Sequence, residues 1–143
     1  MSDIIATTIT ESPLFKHLSP DGMQAVIDAA TIREYVDGEA IIEEGGAVRH
    51  LCVLVDGKVR VWTKSLNREV ELKTLGRGAY FGEVSLMSGK AATATVEAQG
   101  TARVLAIDKA AVLRLVEEDE KVRKMLEGLT LARAKDTLGK VLK

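Results

Sequence analysis

Apolar and polar residues alternate in short runs from Thr31 to Ile107, whereas on either side of that stretch they repeat at helical spacing. On the N-terminal side, Ser12-Pro13 and Ser19-Pro20-Asp21 read as helix starts, because serine caps the first amides and proline suits the first helical position. Met23, Val26, Ile27 and Ala30 then predict a helix of about ten residues. Ile32, Tyr35-Val36 and Ala40-Ile41-Ile42 come in pieces broken by Asp37-Gly38 and Gly45-Gly46, the pattern of brief strands and tight turns. Two β-rich runs, from Leu51 to Val55 and from Lys58 to Trp62, flank Asp56-Gly57, the dipeptide of a two-residue hairpin turn. Val59 and Val61 face one way there, and Lys58, Arg60 and Trp62 the other. Val70 and Leu72 alternate with Glu69, Glu71 and Lys73 until Gly76 and Gly78. Strands from Thr93 to Ala98 and from Arg103 to Ile107, joined at Gln99-Gly100, complete the set. So many short antiparallel strands predict a mainly β domain, a jelly-roll-like barrel or sandwich with flanking helices.

Beyond the strands, Asp108 is placed to cap a helix carrying Val112, Leu113 and Val116, and the acidic run Glu117-Glu118-Asp119-Glu120 is placed to open a longer one. In that last helix Val122, Met125, Leu126 and Leu129 share a face, while Leu131, Ala134, Leu138, Val141 and Leu142 lie nearly opposite. One straight helix cannot lay both stripes on one barrel. The expectation is a break near Gly128, or a second stripe that packs on another copy or on a protein partner. Residues 1–11 read as an N-terminal tail and 12–143 as a single domain, with the barrel at about 31–107 and C-terminal helices at about 108–142.

Charge and composition remove whole classes of function. Twenty Lys and Arg against twenty-one Asp and Glu leave a net charge of -1, and the basic residues are scattered singly, which offers neither DNA nor an anionic membrane a footprint. The single cysteine, Cys52, excludes an intrachain disulfide and fits a reducing cytosol. The N-terminus lacks a signal-peptide pattern, and no apolar run reaches about 18 residues. The chain is therefore expected to be soluble and cytoplasmic. His17 and His50 are the only histidines, too few for a cupin-type metal centre, and no serine or threonine has a base in a triad-like arrangement. No enzyme activity, metal or cofactor is expected.

The stretch FGEVSLMSGKAATATV, from Phe81 to Val96, opens like a cradle for an anion: a glycine, a carboxylate, then a short apolar turn whose first amides aim above Gly82. Together with Gly38-Glu39, Ile41 and Gly45, with Val55-Asp56-Gly57-Lys58-Val59 and with Leu75 to Glu83, it resembles the cyclic nucleotide-binding domain family over about residues 12–138. The resemblance implies an eight-stranded antiparallel jelly-roll barrel with helices at both ends. It also implies a ligand site. In the Phe-Gly-Glu motif that begins at Phe81, Gly82 and Glu83 fall where the family holds the ribose 2'-hydroxyl, and Val84 and Ser85 where amides face the cyclic phosphate.

The family's pattern is broken at Ala91 and Ala92 and, with less consequence for the ligand, at Gly46 and Ala79, where an acidic residue is common in the family. Aligned without a gap, its Pro-Arg pair falls on Ala91 and Ala92, so the side chain that pairs with the cyclic phosphate is missing. A charge-assisted bond from Arg to phosphate is worth about 1.5–3 kcal/mol, so its loss weakens binding by roughly ten- to a hundredfold. Lys90 is the cation nearest in sequence, without the planar fork of a guanidinium. With an arginine restored at position 92, Thr93 would offer a hydroxyl to a guanine amino group. Two readings stay open: a regulatory module that binds a cyclic nucleotide weakly or a nucleoside-like ligand, and a protein-interaction module with a vestigial pocket.

Overall fold

A computed structural model of the chain describes residues 2–15 and 18–128. The chain runs α1 (Ser2–Glu11), α2 (Pro20–Asp28), β1 (Ala30–Tyr35), β2 (Ala40–Ile42), β3 (His50–Ser65), β4 (Arg68–Leu75), β5 (Tyr80–Phe81), α3 (Glu83–Ser88), β6 (Thr95–Asp108) and α4 (Lys109–Glu118). Residues 120–128 are helical again. The strands form one antiparallel sheet in the order β1-β6-β3-β4, with β2 also on β6 and β5 also on β3. The result is the mainly antiparallel jelly-roll fold with flanking helices that the strand pattern calls for.

Six strands appear where eight were expected, because two of them are long. β3 runs unbroken through Asp56-Gly57 and pairs with β6 from His50↔Asp108 to Trp62↔Thr95, with register shifts on either side of Asp56. The Asp-Gly pair is therefore a bulge that bends one strand, not a hairpin turn. Arg103 on β6 donates from Nε to Asp56 Oδ2 at 2.8 Å across the bend. The true two-residue hairpin joins β3 to β4 at Leu66-Asn67, with Ser65 paired to Arg68 and positive φ at both central residues, 53° and 64°. β6 likewise continues as one strand through Gln99-Gly100, with a register shift there and φ 74° at Gly100.

Alternation along β3 sorts the core into two parts. Leu51, Val53 and Val55 face the helices and pack with Phe15, Val26, Leu105, Ile107, Val112, Leu115 and Leu126. Cys52, Leu54, Val59 and Val61 face the barrel interior with Leu72, Phe81, Val96 and Val104. Both faces of the first half of β3 are thus buried, which is why Leu51 to Val55 reads as a continuous apolar run.

The ends of the domain differ from expectation in three ways. The expected tail is helix α1, because Ile4, Ile5 and Ile9 form an apolar stripe and Ile9 is fully buried in the core. Ser12-Pro13 follows that helix instead of starting one, and the buried Ser12 hydroxyl accepts from the Leu14 amide. Glu117 and Glu118 close α4, and only Asp119 caps the next helical stretch, accepting at Oδ1 from the Lys121 and Val122 amides at 3.0 and 3.2 Å. Ser19 and Asp108 cap α2 and α4 as expected. Val122 and Leu126 are buried and Met125 packs beside them. The opposite stripe, from Leu131 to Leu142, lies outside the described residues.

Candidate functional site

Phe81 ends a two-residue strand and pairs with Cys52, and the chain then turns sharply at Gly82 into α3. The turn requires φ +91° at Gly82, and a Cβ there would sit 3.1 Å from the His50 carbonyl oxygen, so no other residue fits without strain. Because α3 begins at Glu83, the amides of Val84 and Ser85 have no intrahelical acceptor. Ser85 is buried and donates from its hydroxyl to the Ala91 carbonyl at 3.3 Å, which ties α3 to the segment that follows it. That segment is anchored again at Ala92, whose amide donates to Gly46 O at 2.9 Å and whose carbonyl accepts from Gly45 N at 2.8 Å.

These elements line a cleft of about 80 Å³ that opens to solvent. One wall carries Val61, Leu72, Lys73 and Leu75, and the other carries Phe81, Gly82, Glu83, Val84 and Ser85 together with Ala92, Thr93 and Ala94. Of the residues singled out by sequence, Phe81, Gly82, Glu83, Val84, Ser85, Ala92 and Thr93 come together here. Lys90 and Ala91 are exposed and lie outside the cleft. Glu83 is only 2% exposed. Ala92, 6% exposed, packs with the helix-side core that also holds Val48 and Leu86.

The cation that lines the cleft is Lys73, which sequence reasoning placed on the outward face of β4. Val61 pairs with Lys73 and Trp62 with Glu71, so Leu72 is an extra residue in the ladder. That bulge breaks the alternation and turns Lys73, half-buried, onto the side of the buried Val61. Strict period-two reading has no means of finding it.

The remaining chemistry is muted. Burial pushes the Cys52 thiol up to about 12, with the nearby Glu83 charge adding to the effect and Arg33 opposing it, so it stays protonated and unreactive at neutral pH. Among the described residues no three His, Cys, Asp or Glu side chains converge as metal ligands, and no helix is long and apolar enough to cross a membrane.

Residues 32–119 match the sequence profile of the cyclic nucleotide-binding domain. The chain is 31% identical over 136 residues to a cAMP-dependent protein kinase regulatory subunit of Mycosarcoma maydis, covering 92% of this chain and 25% of that protein. It is 33% identical over 118 residues to cGMP-dependent protein kinase 2 of Homo sapiens, covering 80% of this chain and 16% of that one. Among solved structures it superposes on the catabolite activator protein of Thermus thermophilus with a TM-score of 0.76 and 29% identity, covering 88% of this chain and 60% of that one. The chain thus spans about a quarter or less of the length of these two kinase relatives. With the profile match running from β1 to the end of α4 and the Gly82-Glu83 turn closing a cleft inside the same fold, this chain belongs to the cyclic nucleotide-binding domain family.

Proposed function

We propose that this domain is a regulatory module whose cleft receives the sugar and base of a nucleotide but holds the cyclic phosphate poorly. The observation that carries the reading is the contrast between two buried residues of one cleft. Glu83 is a carboxylate in the position the family uses for the ribose, and Ala92 is a methyl group in the position it uses for the phosphate. Lys73 lines the same cavity, but an ammonium lacks the two-pronged grip of a guanidinium. The relatives are named for cAMP and for cGMP, so both are the ligands to test. Binding rather than catalysis is assigned because Glu83 is the one carboxylate among the lining residues and the Ser85 hydroxyl donates to a backbone carbonyl rather than to a base.

Calorimetry of the domain against cAMP, cGMP, adenosine and guanosine tests this directly. Cyclic nucleotides are expected to bind in the high micromolar range or weaker, with the matching nucleoside within about tenfold, because the phosphate adds little. A nucleoside that binds a thousandfold more weakly than its cyclic nucleotide contradicts the reading. The packing of Ala92 into the helix-side core favours a second reading, a protein-interaction module with a vestigial pocket. Absence of heat with all four ligands supports it.

A further inference from the structure

A groove outside the nucleotide cleft collects Arg33 from β1, His50 from the start of β3 and Arg49 from the residue before it. Arg33 pairs with Val104, Cys52 with Ala106 and His50 with Asp108, so Arg33, Cys52 and His50 rise from the same face of the sheet, the face that lines the barrel interior. They emerge where β2 leaves β1 to pair with the other half of β6, and Arg49 and Tyr35 line the same opening. Arg33 Nη2 lies 3.4 Å from His50 Nε2, a geometry that has the guanidinium donating to a neutral imidazole. Among the described residues neither Arg33 nor Arg49 makes an ion pair. The carboxylates that face the group are Glu43, exposed on the groove rim, and Asp108, whose Oδ2 accepts from the Ala110 amide. Two guanidinium charges thus meet two carboxylates, Glu43 on the rim and Asp108, which is already engaged by a backbone amide.

We propose that this groove is a second, anion-binding site that takes the oxygens of a carboxylate or a phosphate between Arg33 and His50. An oxyanion accepts from the planar guanidinium in place of the imidazole. The His50 Nε2 lone pair released in this way is then free to take a proton and donate the next bond to the anion. Binding therefore takes up a proton and tightens as pH falls through the range where His50 titrates. The site adjoins the nucleotide cleft: Ile42 and Val48 line both, and the His50 carbonyl abuts Gly82. The anion has two sources, a free phosphate-like ion or the side chains of an acidic polypeptide.

NMR titration of the imidazole signals distinguishes these sources, with the His50 signal assigned by its loss in His50→Gln. At constant ionic strength, potassium chloride is replaced by inorganic sulfate in one arm and by an oligoglutamate peptide in the other. A site is expected to raise the His50 midpoint by about half a pH unit or more in at least one arm. The shift is expected to vanish in Arg33→Gln and shrink in Arg49→Gln, with circular dichroism showing both variants folded. A response to sulfate identifies a free tetrahedral anion, and a response to the peptide alone identifies a carboxylate-bearing partner. No shift in either arm, or an equal shift in Arg33→Gln, overturns the proposal.

Discussion

Gly57 lies against the backbone of Thr101 so closely that a Cβ on it would stand 2.3 Å from the Thr101 carbonyl oxygen. With φ +91° at the same residue, the bend of β3 over β6 depends on a glycine for two independent reasons. Gly57→Ala is expected to cost about 2–4 kcal/mol, since the left-handed backbone penalty and the clash add. Urea denaturation of the variant against the parent measures it.

The hairpin at Leu66-Asn67 is the opposite case, a turn that tolerates residues poorly suited to it. Leu66 is 93% exposed with φ 53°, so its side chain contributes little packing while its backbone is strained. Replacing the pair by Asn-Gly is expected to stabilise the domain by about 1 kcal/mol, a rise in Tm of about 3 °C. Thermal unfolding followed by circular dichroism is the check.

His50 makes stability depend on pH near neutrality. Burial and the neighbouring Arg33 charge, with a smaller effect from Arg49, hold its imidazole below the usual range, and Asp108 opposes them in part. The folded protein therefore binds this proton less readily than the unfolded chain does. Unfolding takes the proton up below about pH 6.5, so stability falls as pH is lowered through that point. His50→Gln is expected to flatten this slope, read from urea midpoints at about pH 7.5 and 5.5.

The strand periodicity, the caps at Ser19 and Asp108 and the glycine-carboxylate turn at Gly82-Glu83 were legible in the sequence, because each rests on local chemistry. What was not legible depends on pairing across the sheet. Asp56-Gly57 has the composition of a hairpin turn, but β6 extends past it and converts it to a bulge, while the real hairpin carries Leu66-Asn67, a poor turn signature. Lys73 reaches the cleft only because Leu72 is an extra residue opposite Val61 and Trp62. Helix α1 reads as a tail in the sequence because its one turn and a half of isoleucines is stabilised by tertiary burial more than by propensity.

In the proposed reading, the sugar side of the cleft depends on Glu83. If a nucleotide or nucleoside binds, Glu83→Ala is expected to leave the ribose hydroxyl without its acceptor and to lower affinity by about 1–3 kcal/mol. Calorimetry with adenosine and with cAMP is expected to show the same loss for both. A loss confined to cAMP would move Glu83 from the sugar to the phosphate side.

The central claim is that the cleft retains its sugar side and lacks one charge at position 92. Ala91 is exposed and the Ala92 backbone bonds to Gly45 and Gly46 do not involve its side chain, so Ala91→Pro with Ala92→Arg leaves that anchoring in place. The measurement that tests the claim most directly is the dissociation constant for cAMP and cGMP in the parent and in this double variant, at low and high salt. The account predicts weak binding in the parent and a ten- to hundredfold gain in the variant, equivalent to about 1.5–3 kcal/mol and reduced by salt. Sub-micromolar binding by the parent, or a folded variant that binds neither nucleotide at millimolar concentration, would contradict it.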